Sequence, residues 1–215
     1  MSIKCFFVST FISNIFKGNP ACVIHLDKWL SDKTLLQIAK ENALPETAFF
    51  IKNKDVVHLR WFTPDIEIDL CGHATLATAF IINEVLQYSL NKLKFKTKSG
   101  FLTVNYIDGL YNLNLPSRIG KIVTLPDEIK LALNIQPKAV YKSRDFMLVY
   151  ENQDDINNIT INRSFFDNIN LGFGGVIVTS QGNKVDFVSR FFTPQASILE
   201  DPVTEIGRAS CRERV

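Results

Sequence analysis

The apolar positions of this chain follow two periods, and the points where one gives way to the other predict its elements. Alternating or β-branched runs predict strands at 4–9, 21–26, 46–51, 56–62, 101–106, 110–115, 139–141, 146–150, 176–179 and 185–192. The run 91–99 alternates throughout. Lys92, Lys94, Lys96 and Lys98 share one face and Leu93 and Phe95 the other, the pattern of a strand with a solvated outer side. Helical spacing follows Ser31, a cap, with Leu35, Leu36, Ile38 and Ala39 on the buried side. It recurs over 73–90 (Ala74, Ala77, Phe80, Ile81, Val85), 125–133 and 164–169. Gly18-Asn-Pro20, Gly100 and Asp108-Gly109 mark turns, and 116–125 reads as a linker. Strands interleaved with few helices and many hairpin turns predict an α+β fold and not a doubly wound sheet.

One stretch concentrates the chemistry: Leu59-Arg-Trp-Phe-Thr-Pro-Asp-Ile-Glu-Ile-Asp-Leu-Cys-Gly-His-Ala-Thr75. Pro64 ends a strand, because it has no N–H and holds Thr63 extended. Cys71, Gly72 and His73 then stand where a helix begins. Free N–H groups and the positive end of the helix dipole face any bound anion there. The plainer account of Gly72 is a tight turn. A second copy, Ser189-Arg-Phe-Phe-Thr-Pro194, follows at a constant offset of 130. On that offset Cys71 aligns with Asp201 and His73 with Val203. Two similar halves facing each other across a cleft are expected, 1–117 and 118–205.

Composition narrows the classes. A chain of 215 residues suffices for one large domain or two small ones with real cores. No apolar run approaches the ~20 residues that span a bilayer, and the N-terminus has no signal-peptide core. Four cysteines without paired spacing argue against a disulfide framework and against a zinc site. A cytoplasmic protein with reduced thiols is expected, with neither metal nor cofactor, since no nucleotide or metal motif is present. The segment 206–215 breaks from the preceding composition and resembles one reading frame of a widely used sequencing adapter, so it is set aside as a non-native tail. Removing its three arginines and one glutamate leaves no net charge on the remainder. The mild basicity therefore signals no nucleic-acid or membrane partner.

Glu46 stands directly after Pro45, ahead of a strongly apolar run. A carboxylate at such an edge is either solvated or an acid/base in a dry pocket. The motifs Gly18-Asn-Pro-Ala-Cys-Val, Leu44-Pro-Glu-Thr-Ala-Phe, Phe62-Thr-Pro-x-x-Glu-Ile-Asp-Leu-Cys-Gly-His-Ala-Thr75 and Asp186-Phe-Val-Ser-Arg-Phe-Phe-Thr-Pro…Glu200-Asp-Pro-Val-Thr204 together resemble the phenazine-biosynthesis PhzF-like isomerase family, over 3–204. The resemblance implies a diaminopimelate-epimerase-like fold of two pseudo-symmetric halves. Each half is a curled, mostly antiparallel sheet around a central helix. It implies cofactor-independent proton transfer on a small carboxylate-bearing metabolite, with Glu46 as acid/base. The resemblance further implies that Asn19, Gly72, His73 and Asp201 flank the substrate and that the protein is a homodimer.

Two other readings compete. A cysteine-type racemase would use Cys71, but its aligned partner Asp201 is not a thiol, and a buried structural Cys71 is the simpler view. A non-catalytic small-molecule-binding protein on the same fold is the third reading. After Asp201-Pro-Val-Thr204 the family pattern continues with a Gly-Ser-Ala-His-type helix start. Here Glu205 and the foreign segment stand instead. The second half is therefore expected to be incomplete, and the 215-residue polypeptide inactive and poorly soluble.

Overall fold

The alternating runs pair into two sheets, one in each of the two units into which the chain divides, Met1–Pro116 and Ser117–Val215. The computed structural model describes residues 3–14, 17–116, 119–172, 174–196 and 199–201. The segment 206–215, set aside above, lies outside them, as do Val203, Thr204 and Glu205.

The first unit runs β1 (Cys5–Asn14), β2 (Lys17–His25), α1 (Asp32–Asn42), β3 (Glu46–Asn53), β4 (Val56–Phe62), β5 (Glu67–Ile68), α2 (Gly72–Phe80), β6 (Lys92–Thr97), β7 (Gly100–Ile107) and β8 (Leu110–Asn114). Its strands lie in the order β1-β2-β3-β4-β6-β7-β8, with β5 also on β4. Only β2–β3 and β4–β6 pair parallel. α2 packs against β1, β2 and β3 near one end of this path and against β8 at the other. One helix reaches both ends only if the sheet curls around it.

Alternation decides which side chain meets which helix. Cys22, Ile24, Phe49 and Phe62 pack with Leu35 and Ala39 of α1 on the outer face. The intervening Ala21, Val23, Ala48 and Trp61 therefore face inward, toward α2. α2 is buried nearly all round and built of small residues, Gly72, Ala74, Thr75, Ala77, Thr78 and Ala79. That is the composition of an enclosed helix, not of a surface one. Thr75 and Thr78 return their hydroxyls to the carbonyls of Cys71 and Ala74, so no polar group of theirs is left unpaired in the core.

The second unit repeats this order. It runs β9 (Lys121–Ile122), α3 (Asp127–Ala132), β10 (Ala139–Lys142), β11 (Phe146–Val149), α4 (Gln153–Asn158), α5 (Arg163–Phe166), β12 (Val176–Gln181), β13 (Phe187–Phe192) and β14 (Glu200–Asp201). From β10 to β14 the pairings are antiparallel, parallel, antiparallel, antiparallel. From β1 to β5 they follow the same sequence. The outer face again carries the helices: Phe146, Leu148, Tyr150, Val178 and Phe192 pack with Ile129, Ile156 and Phe166. Each copy of the Arg-x-Phe motif is tied the same way. Arg60 makes a two-pronged bond to Glu67 at 2.7 and 2.8 Å, and Arg190 makes one to Glu200 at 2.8 Å on both prongs.

These ladders correct the alignment read from the sequence. Phe62 pairs with Glu67 and Trp61 with Ile68, whereas Phe192 pairs with Glu200 and Phe191 with Asp201. The second connector is three residues longer. Asp201 therefore occupies the place of Ile68, and the position equivalent to Cys71 is Thr204.

Other elements differ from expectation for local reasons. Gly18, Asn19 and Pro20 are not a turn but lie within β2. Pro20 is tolerated because pairing with β3 begins only at Ala21, so no ladder donor is missing on that side. The helix over 73–90 ends earlier. It passes through a π-helical turn at Ile81–Val85, and the Asn83 side chain bonds both backbone groups of Leu90. Lys98 leaves the lysine stripe at the β6–β7 turn and pairs with Glu67. The short strands β5, β9 and β14, and the helix α4, carry no period in the sequence.

Glu67 gives a pH prediction. Burial pushes its carboxyl up, but the bonds and charges of Arg60 and Lys98 outweigh this and hold it below its ordinary 4.5. A depressed folded-state pKa contributes stability that is present above about pH 4.5 and lost as pH falls through the lower folded value. Urea midpoints at pH 7 and pH 3 are expected to separate more in the native chain than in Glu67→Gln. Parallel losses in the two would remove the role.

The repeat also shows why the halves differ chemically. Since Thr47 pairs with Phe62 and Val176 with Phe192, Glu46 corresponds to Gly175. A Cβ on Gly175 would meet the Phe191 ring and come within 2.7 Å of the Phe192 carbonyl oxygen. The second unit therefore fills with an aromatic ring the place where the first puts a carboxylate. Gly175→Ala is expected to cost about 1–3 kcal/mol through overpacking, read as a lowered urea midpoint. An unchanged midpoint would show that Phe191 yields freely.

Candidate active site

Glu46 opens β3 in register with Ala21 of the neighbouring β2. Two residues before Ala21, Asn19 shares its face by alternation, so Asn19 and Glu46 both look inward. Opposite them α2 begins. Cys71 is its N-cap, with extended backbone at φ −147° and ψ 121°. Gly72 and His73 are its first two residues. Gly72 is not among the residues of positive φ, so the turn itself does not demand glycine there, contrary to the plainer account.

The His73 ring joins these groups. Its Nε2 lies 3.1 Å from Glu46 Oε2. Its Nδ1 lies 3.1 Å from Asn19 Nδ2 and 3.4 Å from Cys71 Sγ. With the Asn19 amide nitrogen donating to Nδ1, the neutral ring carries its proton on Nε2, facing the carboxylate. His73 and Asn19 are almost wholly buried, at 2% and 1% exposure, while the Glu46 side chain keeps 16%. The carboxylate is thus the part of this group that solvent or a ligand reaches.

Two acceptors are left over. Among the described residues, buried Asn19 Oδ1 accepts no hydrogen bond, and buried Glu46 Oε2 has only its ion-pair contact with His73 Nε2. Trp61, fully buried on the same inward face, likewise has no acceptor for Nε1–H. An unpaired buried polar group costs about 1–3 kcal/mol, so water or a ligand is the expected partner for those on this face.

Glu46, Cys71 and His73 also bring one ligand atom each within 4.8 Å of the others. The sulfur approaches Nδ1 and the carboxylate Nε2, so an ion taken up by these three groups would replace one of those two contacts.

Of the residues singled out in the sequence, Asn19, Glu46, Gly72 and His73 come together in the first unit. Asp201 lies in the second, on β14 beside Phe191. The sequence did not reveal that Asn19 and Cys71 share one ring nitrogen, nor that Trp61 is left with an unpaired donor. The inward parity of Trp61 on β4 was the available signal.

Residues 8–212 match the family model described as phenazine biosynthesis-like protein, PhzC-PhzF. An uncharacterized isomerase of Pseudomonas aeruginosa is 39% identical over 98% of this chain and 80% of its own length. A phenazine biosynthesis-like domain-containing protein of Homo sapiens is 31% identical over 97% of this chain and 82% of its own. Among solved structures, a phenazine biosynthesis protein of the PhzF family from Enterococcus faecalis superposes with a TM-score of 0.87 at 41% identity. The superposition covers 98% of this chain and 81% of that one. With its two repeated sheets and its four motifs in register, the chain belongs to the phenazine biosynthesis-like PhzC-PhzF family.

Proposed function

We propose that this protein is a cofactor-independent isomerase that moves a proton between carbons of a small carboxylate-bearing metabolite, with Glu46 as the acid/base. The observation that carries the reading is Glu46 Oε2, buried and 3.1 Å from His73 Nε2, with no second partner among the described residues. A carboxylate held from one side by an N–H, with a lone pair left over, is able to take a proton from a substrate C–H bond and return it to another carbon. His73 is the positioning group: its Nε2–H orients the carboxylate and compensates its charge. The N–H groups at the start of α2, at Gly72 and His73, are assigned to the substrate carboxylate. Asn19 Oδ1 is assigned to a substrate donor, and Asp201 to the substrate on its motif alone. The names of the bacterial relatives, uncharacterized isomerases, support the reaction class.

The test uses two proteins. One is the 215-residue chain. The other is a chimera continued with the segment that follows the matching motif in the Enterococcus faecalis relative. Each is incubated in deuterium oxide with a panel of amino-, hydroxy- and unsaturated carboxylates, and carbon-bound deuterium is read by proton NMR. Exchange is expected in the chimera. No exchange into any member by either protein, with both folded, would favour the binding-protein reading. The same reading expects a homodimer, checked by light scattering, and a cytoplasmic location. Among the described residues no helix is long and apolar enough to cross a membrane.

A further inference from the structure

Cys71 is the buried nucleophilic group that the proton-transfer reading leaves unused. Its Sγ stands 3.4 Å from His73 Nδ1, and the other nitrogen of that ring stands 3.1 Å from Glu46. Thiol and carboxylate thus contact the two nitrogens of one imidazole, a set of nucleophile, base and orienting group that activates cysteine nucleophiles. Cys71 is also the N-cap of α2, a nine-residue helix with no side-chain cap bond at this end. The positive end of the helix stabilises a thiolate there.

Asn19 is an independent pointer to a ligand. It is 1% exposed, and its Oδ1 is unpaired among the described residues while its Nδ2 sits 3.1 Å from Nδ1. When Nδ1 is bare, the amide nitrogen donates to it. When Nδ1 has taken a proton, a half-turn of the amide brings Oδ1 round to accept it. The one side chain thus serves both states of the ring.

We propose that Cys71 is an activated thiol and the site at which this chain is covalently captured by small carboxylate-bearing electrophiles. The thiol proton passes to His73 Nδ1, and Nε2–H is held by Glu46. The sulfur then attacks the electrophilic carbon. With iodoacetate as the probe, the S–C bond forms as the C–I bond breaks, and iodide leaves with the bonding pair. The imidazolium proton is returned to water. Burial of Cys71 to 4% exposure admits only small reagents, and the helix start favours anionic ones. The other described cysteines are different. Cys5 is exposed, donates to the Ile3 carbonyl at 3.8 Å and neighbours Cys22, with no histidine shown beside it. The buried Cys22 thiol is pushed up to about 12 by burial and by the neighbouring Cys5.

The inference shares His73 and Glu46 with the isomerase reading but does not depend on turnover, so the two fail separately. The full chain is treated in parallel with limiting iodoacetate and with iodoacetamide, and each cysteine is followed by peptide mass spectrometry. The iodoacetate-to-iodoacetamide rate ratio is expected to be at least tenfold higher at Cys71 than at Cys5. His73→Gln is expected to slow Cys71 labelling at least tenfold and Glu46→Gln several-fold, with Cys5 unchanged. Cys22 reports folding, because it stays protected while the first unit is intact. If a variant exposes Cys22, the reagent ratio in the unsubstituted chain decides alone. A Cys71 as protected as Cys22, a ratio equal to that of Cys5, or an unchanged rate in a folded His73→Gln chain would each overturn the proposal.

Discussion

Glu46→Gln is expected to lower the rate of carbon-bound deuterium exchange by roughly 10²–10⁴-fold, which corresponds to about 3–5 kcal/mol of transition-state stabilisation. The amide keeps the shape of the carboxyl group and an oxygen that still accepts from His73 Nε2–H. What it loses is the ability to hold a proton between its removal from one carbon and its return to another. The first unit is therefore expected to keep its fold, with a urea midpoint near that of the unsubstituted protein. The measurement is made in the chimera, on whichever carboxylate that protein exchanges. Exchange by Glu46→Gln at about the native rate would remove Glu46 from the chemistry and leave Cys71 as the remaining candidate base. The second unit offers no substitute at the equivalent position, because Gly175 stands there under the Phe191 ring.

Phe49→Ala is expected to destabilise the first unit by about 3–5 kcal/mol, a large share of a typical domain's 5–15 kcal/mol. Phe49 has no exposed surface and meets the edge of the Phe62 ring at 5.6 Å between centroids. It joins β3 to Leu35 and Ala39 of α1 in one cluster. Truncation leaves a cavity that a sheet clamped on both faces fills poorly. Because Phe49 points outward and Glu46 inward, exchange per folded molecule is expected to survive while the midpoint falls. A midpoint within about 1 kcal/mol of native would mean that α1 closes the cavity. Exchange lost in step with Glu46→Gln would mean that the two faces of β3 are not independent.

The two substitutions mark the border between what the residues show alone and what they show folded. β4 was legible to its ends, because a seven-residue run rich in β-branched and aromatic residues is closed by Thr63-Pro64. The cap at Ser31 was legible for a similar reason: its hydroxyl accepts from Thr34 N at 3.2 Å, a bond made within four residues. Gly18-Asn-Pro20 misled because glycine, asparagine and proline are turn formers in isolation. Only the late start of the β2–β3 ladder makes them acceptable in a strand. The end of α2 misled because apolar spacing continued past the point where Asn83 turns the chain through Leu90. β5 and β14 span two residues each, too few to show a period.

The same border runs through the site. Glu46, Gly72 and His73 stood out because each sits in a short motif at the edge of an element, and local motifs survive in a linear reading. The offset of 130 was visible for Arg60 and Arg190, yet it failed one connector later, because a three-residue insertion has no signature until the ladder is drawn. What the sequence by itself determined is the fold class and the repeat, which rest on periodicity and on local motifs; Glu46 became the acid/base candidate only through the family resemblance of those motifs. The curl of the sheet around α2 decided the rest. It closes a separation of 54 residues to put Asn19 on His73, and it seats the thiol and the carboxylate on opposite nitrogens of one ring. Contacts of that kind depend on strand register and on the packing of a small-residue helix, which act across the whole unit and leave no trace in any window of the chain.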